Sequence, residues 1–317
     1  MTPESIEGKR IAIYGATSNI ASETAKKAMV QGAEVVAFVR NRAKAEPLKR
    51  AGAEIVVGDI TNSNDVMNAV RGRSIDVTIN FAAVFNLSSD ASRSRAVNVR
   101  GEEYVLNANE QFYIPRHIFI STAGVLMEGP NAYKDTKLEA EGLVKNSKVS
   151  EWLILRFANV IGTEDPNDLW NNPFLTKEVL GRRIGLSKIP SKKNVPFPYL
   201  GIDTATEATL KAITARPNQT ITILDGFDTV EGYLTAMARI NDVDFVIALP
   251  DSVVVPALVA ANKAAELVGK HFPITPGFAK IVTNCPKFEN EEMQQELGIK
   301  PQSFEEVIQK AKERLRK

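Results

Sequence analysis

The sequence predicts an α/β protein built on a doubly wound parallel sheet, a Rossmann fold, with a smaller C-terminal lobe. Short apolar, β-branched segments alternate with helical patterns through the first half of the chain, and the connections are short. Beyond Gly162 the alternation gives way to a stretch rich in proline, asparagine and lysine. We therefore assign residues 1–162 to the sheet domain. Residues 163–317 form a mixed lobe from which some strands and helices return to the main domain.

Six strands and their connecting helices follow in order. The predicted strands are Ile11–Tyr14, Glu34–Val39, Glu54–Val57, Val77–Ala82, His117–Ser121 and Trp152–Phe157. The helices between them are Ile20–Val30, Ala43–Ala51, Asp65–Val70, Val97–Asn109 and Tyr133–Val144. Farther on, the patterns predict helices Asp203–Thr214, Val230–Ile240 and Phe304–Arg316, and a strand Thr220–Leu224. Such β-α-β units place ligands at the carboxyl edge of the sheet.

Composition gives no positive support to several classes of function. The formal net charge of +1 gives no bulk electrostatic reason to bind nucleic acid or an anionic membrane. The polar N-terminus is unlike a signal peptide, and the single cysteine, Cys285, fits a reducing compartment, so we expect a cytoplasmic protein. His117 and His271 are isolated in sequence, and no metal site is expected.

One apolar run, Ser252–Asn262, stands out in the second half of the chain. It is shorter than the roughly 20 residues that a bilayer span needs. We interpret it as a packed helix, with a lid over an apolar substrate as the alternative.

The stretch after the first strand is typical of a dinucleotide-binding turn. Such a turn needs a tight bend, a close approach of the pyrophosphate and a small residue where helix meets strand. Gly15 and Ala21 meet the first and third needs, and Ser18 occupies the second position. The Ser18 side chain either crowds the phosphate, donates to it or caps the helix. The turn's other phosphate contacts are assigned to Thr17, Asn19 and Ile20.

The residues after the next strands favour NADP over NAD. Where an acidic residue would bind the ribose 2′-hydroxyl of NAD, the second strand ends in Arg40, with Arg42 close by. A guanidinium suits a 2′-phosphate, although NAD stays open as the alternative. The remaining expected cofactor contacts are Asp59, which would meet the adenine amino group, and Ile60, Phe81, Ala82 and Ala83.

A candidate catalytic group follows the fifth strand. Tyr133 and Lys137 are four residues apart, so a helix places them on one face. A nearby ammonium favours the phenolate and should lower the tyrosine pKa from about 10 toward neutrality. Thr122 or Ser121, at the end of the strand, would hold the substrate oxygen against Tyr133.

The ordered motifs resemble the extended short-chain dehydrogenase/reductase family, also called the NAD-dependent epimerase/dehydratase family. The matching segments are Gly15-x-x-Ser18-x-x-Ala21, Gly58-Asp59-Ile60, Asn80-Phe81-Ala82-Ala83, Asn98-Val99-x-Gly101, Ser121–Val125, Tyr133-x-x-x-Lys137, Arg156–Val160 and Tyr199–Asp203. They cover roughly residues 10–215.

This resemblance implies a role for each residue. Tyr133 would be the general acid/base, Lys137 would lower its pKa and bind the nicotinamide ribose, and Thr122, with Ser121 beside it, would be the catalytic hydroxyl. Further cofactor contacts are implied for Asn98, Phe157, Asn159 and Val160, with core packing as the alternative for Phe157. The substrate would meet Val84, Phe85, Ala123, Gly124 and Asn159. A homodimer paired through helices is an expectation from the family alone.

Departures from the family pattern narrow the choice among the reactions that the family catalyses. Nucleotide-sugar dehydratases usually carry Asp-Glu after the catalytic Thr, where this chain has Ala123-Gly124. Epimerases often carry an arginine where this chain has Lys193-Asn194. The expected activity is hydride transfer between the nicotinamide and a carbonyl or secondary-alcohol carbon of a small, largely apolar molecule, as in the hydroxysteroid-dehydrogenase and dihydroflavonol-reductase branches. A nucleotide-sugar epimerase with tightly bound NAD and a non-catalytic dinucleotide sensor stay open as alternatives.

Overall fold

The computed structural model describes residues 5–84, 92–128, 131–163, 172–179, 181–187, 195–267 and 285–315. Its strands are β1 (Arg10–Tyr14), β2 (Glu34–Val39), β3 (Glu54–Val57), β4 (Val77–Asn80), β5 (Arg116–Thr122), β6 (Glu151–Phe157), β7 (Asn159–Ile161), β8 (Phe174–Val179), β9 (Arg182–Ser187), β10 (Pro196–Gly201), β11 (Gln219–Ile223), β12 (Gly226–Thr229) and β13 (Phe245–Ile247). Its helices are α1 (Asn19–Val30), α2 (Glu46–Arg50), α3 (Ser63–Asn68), α4 (Ser92–Arg95), α5 (Gly101–Gln111), α6 (Ala132–Lys145), α7 (Ile202–Ala212), α8 (Val230–Ile240), α9 (Asp251–Leu267), α10 (Glu291–Leu297) and α11 (Phe304–Leu315).

A seven-stranded parallel sheet forms the centre of the molecule, in the order β11-β6-β5-β4-β1-β2-β3. This confirms the predicted doubly wound fold. The chain leaves β1 toward β2 on one side and returns through β4 on the other, so the order reverses between β1 and β4. At such a switch point the loops after the strands separate and leave a crevice for ligands.

Apolar strands explain why this sheet is covered on both faces. β1 reads Arg-Ile-Ala-Ile-Tyr, and its four residues after Arg10 are buried. Ile11 and Ile13 enter one hydrophobic cluster, while Ala12 and Tyr14 enter the cluster on the opposite face. Continuous apolar strands of this kind are typical of parallel sheets that lie between two layers of helices.

The remaining strands form two small sheets, β12-β10-β7 and β13-β9-β8. A separate hydrophobic cluster lies beneath them, where the rings of Phe197 and Tyr233 stack with centroids 4.1 Å apart. β11 instead pairs with β6 in the large sheet, so the second half of the chain also contributes to the main sheet. The boundary placed at residue 162 stays a prediction.

The second half of the chain contains a feature that was not predicted. The stretch rich in proline, asparagine and lysine includes the antiparallel pair β8–β9, with Gly181 between the strands at φ 73°. The apolar run Ser252–Asn262 is helical, within α9, and those of its side chains that the structure describes are exposed or half-exposed. In the first half, the helix expected over Ala43–Ala51 is a 3-10 turn followed by the short α2.

Candidate active site

The turn after β1 has the geometry of a phosphate cradle. Gly15 adopts φ 73°, and a Cβ there would lie 2.7 Å from the Ala82 backbone nitrogen, so only glycine fits without a shift. Gly15 and Ala16 both donate their N–H groups to the Phe38 carbonyl, at 3.2 and 3.3 Å, which ties the turn to β2. The turn therefore lies against the end of β4, at the switch point of the sheet. These residues fit a dinucleotide pyrophosphate.

Ser18 is the N-cap residue of α1, but its hydroxyl makes no capping hydrogen bond. The capping role considered for this side chain is therefore wrong in this structure, and the exposed hydroxyl is left to crowd or bind a phosphate. The Ser22 N–H closes the first helical bond to the Ser18 carbonyl at 2.8 Å. The preceding N–H groups of the first turn, those of Asn19 and Ile20 among them, lie at the positive end of the helix dipole. Ala21 is buried against the sheet.

Positive charge gathers where the adenosine end of a cofactor would lie. Asp59 accepts from the Thr61 N–H at 2.9 Å and the Thr61 hydroxyl at 2.7 Å. These bonds, followed by the charges of Arg40 and Arg93, hold the Asp59 pKa below its usual value. Arg93, from α4, is a candidate that sequence reasoning missed because it lies far from Asp59 along the chain. Both arginines are exposed.

The end of β4 is held by a buried polar chain. The Asn80 side-chain oxygen accepts from the Ala82 N–H at 2.8 Å, and its amide donates to Glu102 at 2.5 Å. The other Glu102 oxygen lies 2.6 Å from His117 Nε2, and His117 Nδ1 lies 2.8 Å from the Thr78 hydroxyl. All of these groups except Ala82 are buried. We call Asn80, Glu102, His117 and Thr78 the Glu102 chain, and it fixes the backbone against which Gly15 packs.

Helix α6 begins at a well-capped terminus beside the end of β5. The Asn131 side chain accepts from the N–H groups of Tyr133 and Lys134, at 2.9 and 3.1 Å. One turn farther on, Lys137 Nζ donates to the Ile120 carbonyl at 2.7 Å and lies 4.4 Å from the Phe119 ring centroid. The structure therefore anchors the Tyr133 face of α6 to the strand that ends at Thr122.

Burial governs the pKa values of the Tyr-Lys pair. Desolvation raises the pKa of Tyr133 to about 12, where the sequence argument expected a value lowered toward neutrality. Desolvation also lowers the pKa of Lys137 to about 8, against the opposing charges of Glu102 and Glu141. The expected depression at Tyr133 is thus wrong for this structure. The Lys137 ammonium is largely buried and bound to a strand carbonyl, so its effect on the phenol does not outweigh burial.

The two neighbouring hydroxyls at the end of β5 differ in their partners. Ser121 is buried and donates to Glu141 at 2.7 Å, and Arg156 binds the same carboxylate through two nitrogens, at 2.9 and 2.6 Å. This places Ser121 in a structural ion-pair cluster. The Thr122 oxygen accepts from the Gly124 N–H at 3.1 Å, which leaves its own proton free for donation.

Asn98 lies in a π-helical segment between α4 and α5, a distortion that recurs at functional sites. Its side chain accepts from the Val84 N–H at 2.8 Å and donates to the Val84 carbonyl at 3.2 Å. The amide also lies 3.1 Å from the Thr136 hydroxyl, between Tyr133 and Lys137 in sequence. Asn98 therefore joins the chain after β4 to helix α6.

The remaining predicted cofactor and substrate contacts differ in how far their side chains are buried. Phe157 and Val160 are part of the hydrophobic core, and Ala123 is buried, while Asn159 is half-buried and donates to the Pro198 carbonyl at 3.0 Å. Of the other predicted contacts, Thr17, Ile20, Ala82, Val84 and Gly124 are half-buried, Ala83 is exposed, and Ile60 and Phe81 are buried. Phe85, Lys193, Asn194 and His271 lie outside the described residues.

Other chemistries find little support in the described ranges. Burial raises the pKa of the Cys285 thiol to about 12, which opposes thiolate formation. Nowhere in these ranges do three His, Cys, Asp or Glu residues group as ligands for a metal ion. None of the described helices has both the length and the apolar character needed to cross a bilayer.

Known proteins resemble this chain in part of its sequence. Residues 15–172 match the family model described as NAD(P)H-binding. The photosystem II assembly factor Ycf39 of Cyanidium caldarium is 31% identical over 109 residues, which are 34% of this chain and 34% of that protein. A 3-beta-hydroxysteroid dehydrogenase of Mycolicibacterium neoaurum is 29% identical over 127 residues, 38% of this chain and 34% of that protein. The chain thus matches about a third of the length of these curated relatives.

The fold extends over nearly the whole chain. A UDP-glucose 4-epimerase from Thermus thermophilus, solved in complex with NAD, superposes with a TM-score of 0.73 and covers 97% of this chain and 99% of its own. Sequence identity to it is 17%, so the likeness concerns the fold.

Proposed function

Residues 15–172 match the NAD(P)H-binding family model, and we propose that the chain is an extended short-chain dehydrogenase/reductase that acts as a carbonyl reductase or alcohol dehydrogenase with NADP. The observation that carries this proposal is the bond between Lys137 Nζ and the Ile120 carbonyl. It joins the helix face that bears Tyr133 to the strand that ends at Thr122. In this proposal the Tyr133 phenol and the Thr122 hydroxyl act together on a substrate at the carboxyl edge of the sheet.

The proposed chemistry divides between cofactor and chain. A bound nicotinamide dinucleotide supplies or accepts the hydride. Thr122 donates a hydrogen bond to the substrate oxygen and keeps its proton, and Tyr133 transfers its phenolic proton to that oxygen in the reductive direction. The pKa of about 12 at Tyr133 keeps the phenol protonated at neutral pH, as a proton donor requires. Asn98 acts as a positioning residue, because its polar atoms are committed to Val84 and Thr136.

Ser121 has a different place in this proposal from the one predicted for it. Its hydroxyl donates to Glu141, inside the cluster with Arg156. We therefore assign the substrate contact to Thr122 and make Ser121 a support for α6.

The cofactor contacts follow from the turn and the charges around it. Gly15 and the first turn of α1 hold the pyrophosphate, and Arg40 and Arg93 hold the 2′-phosphate. We expect Arg40→Ala and Arg93→Ala each to weaken NADPH binding by about tenfold and to leave NADH binding unchanged. Titration calorimetry with both cofactors measures this. Tighter binding of NADH than of NADPH by the wild type would overturn the NADP assignment.

Turnover tests the reaction. A panel of apolar ketones and secondary alcohols is assayed with NADPH and NADP. Tyr133→Phe should lower kcat on any substrate found by a factor on the order of 10²–10⁴, with NADPH binding retained. Tyr113→Phe, at an exposed tyrosine, is the matched control. Bound NAD in the purified protein, with conversion of a UDP-sugar without added cofactor, would establish the epimerase alternative instead.

A non-catalytic role is the second candidate. The likeness to an assembly factor over a third of the chain favours it. Under this alternative the chain binds NADPH, turns over no member of the panel, and Tyr133→Phe changes neither property.

A further inference from the structure

The three-stranded sheet β13-β9-β8 has one face on the core and one face in solvent. Phe174 is buried on the core side, and a Cβ at Gly185 would lie 2.8 Å from Val243, so this side is tightly packed. Side chains alternate along each strand, so the neighbours of Phe174 and Gly185 point the other way. We call that other side the open face, and its apolar members are Leu175, Ile184, Leu186, Phe245 and Ile247.

The open face is a continuous apolar surface. Strand register aligns Leu175 with Leu186 and Leu186 with Ile247 in one row, and Ile184 with Phe245 in the next. Leu175 is 62% exposed, Phe245 60% and Ile247 40%. Single exposed hydrophobic residues are ordinary, but contiguous ones mark a surface that binds something apolar.

The charges on the open face have one sign. Register places Lys177 opposite Ile184 on this face, and Arg182 lies one row farther toward the β8–β9 turn. The acidic residue within the three described strands, Glu178, alternates onto the core side, opposite Arg183. Asp244, just before β13, accepts from the Arg183 N–H at 2.6 Å. On these three strands the open face therefore combines apolar side chains with two cations and carries no acidic residue.

A second apolar surface follows directly in the chain. α9 begins four residues after β13 ends and carries no charged residue from Ser252 to Asn262. Its described side chains are exposed or half-exposed, and Val253 is 50% exposed. A helix this apolar is normally surrounded by protein core or by lipid.

We propose that the open face docks on a membrane surface that contains anionic lipids. A bilayer interface offers negative headgroups for Lys177 and Arg182 and an apolar layer for the five hydrophobic side chains. A fluid surface also accommodates both a flat sheet and an apolar helix without matching their shapes. Pairing with a second copy is disfavoured, because a two-fold contact through this face would bring the same cations together. The overall charge of +1 does not oppose this, since headgroups interact with local charge within a Debye length.

Co-sedimentation with lipid vesicles tests the proposal on the full-length protein. Vesicles of phosphatidylcholine are compared with vesicles in which about one third of the lipid is phosphatidylglycerol. We expect binding to the anionic vesicles that weakens with salt. Leu175→Ser/Phe245→Ser and Lys177→Glu/Arg182→Glu should each lower the partition coefficient by about tenfold or more.

Matched controls carry the same changes elsewhere on the surface. Val30→Ser/Tyr113→Ser and Lys49→Glu/Arg71→Glu alter exposed residues outside the open face and should bind vesicles like the wild type. NADPH binding should be the same in all variants, which separates this proposal from the proposed enzymatic function. Absence of vesicle binding, equal loss in the controls, or a concentration-dependent dimer abolished by the open-face variants would each overturn the proposal.

Discussion

The seven-stranded sheet and the sheet β13-β9-β8 differ in the surroundings of their two faces. Helices cover the large sheet on both sides, and the buried polar groups of the Glu102 chain are paired with one another. The small sheet covers one face and leaves apolar side chains such as Leu175 and Phe245 in solvent. The first region buries polar groups at a cost in desolvation, and the second exposes apolar groups at a cost in hydration.

This difference has a functional consequence. Buried, paired polar groups hold backbone positions to within narrow limits, which a site for hydride transfer requires. Exposed apolar groups contribute little to holding their own sheet together and are available to another surface. Variants in the two regions should therefore differ sharply in stability.

The largest expected effect is at the centre of the Glu102 chain. Glu102→Ala leaves Asn80 and His117 buried without their shared partner, so we expect the free energy of unfolding to fall by about 3–5 kcal/mol. Glu103→Ala, one residue on and exposed, should cost less than about 1 kcal/mol. Urea unfolding of both variants at one pH makes the comparison. If both variants lose the same free energy of unfolding, the buried hydrogen bonds of the Glu102 chain contribute no stability beyond that of a glutamate charge in the first turn of α5.

Much of the large sheet could be predicted from the sequence because its signals are local. Alternating apolar and helical segments indicated the six strands in order, and fixed spacing indicated Gly15, Tyr133 and Lys137. The Glu102 chain could not be predicted in this way, since its members come from three elements that only the fold brings together. The charge of Arg93 likewise acts on Asp59 only because tertiary structure brings α4 toward the end of β3.

The small sheet escaped prediction for a different reason. β8 and β9 lie among prolines and lysines, so their alternation is masked by loop-like composition. Apolar composition then suggested a packed helix at α9, because a sequence alone does not say whether a partner covers an apolar segment.

The second-largest effect is the contribution of Lys137 to the pH dependence of stability. Its pKa is about 8 in the folded protein and 10.5 when unperturbed, so between these values the unfolded chain binds more protons. The contribution of Lys137 to the free energy of unfolding should therefore rise with pH over this window, by up to about 3 kcal/mol. The rise should be clearest below pH 9, because above it the raised pKa of the buried Cys285 thiol acts in the opposite direction. Lys137→Met should remove that rise, whereas Lys148→Met, at an exposed lysine, should keep it. Urea titrations at intervals from pH 7 to about 10.5 test the slope, and a rise that survives in Lys137→Met would refute the assignment.

The third effect is a difference in stability and NADPH binding between alanine substitutions at two glycines that have similar backbone conformations. Gly15 and Gly72 have φ of 73° and 70°, but a Cβ at Gly15 meets Ala82 whereas one at Gly72 meets nothing within 4 Å. Gly72→Ala should cost about 1 kcal/mol from backbone strain alone. Gly15→Ala should cost about 1–2 kcal/mol more and weaken NADPH binding more than tenfold, because the phosphate turn must move. Thermal unfolding measures the loss of stability, and calorimetric titration measures the loss of NADPH binding. If Gly15→Ala and Gly72→Ala lose the same stability and bind NADPH equally well, the contact with Ala82 is unimportant.

The smallest effect is expected on the open face. Leu175→Ala and Phe245→Ala remove side chains that are already mostly in water, so each should change the free energy of unfolding by less than about 1 kcal/mol. A leucine truncated in a closed core costs about 2–5 kcal/mol, so the two cases are readily told apart by urea unfolding. If either variant loses as much as a core truncation, those side chains are covered by the protein itself. If stability is retained, the open face is free to serve a second surface, and the contrast between the two sheets holds in solution.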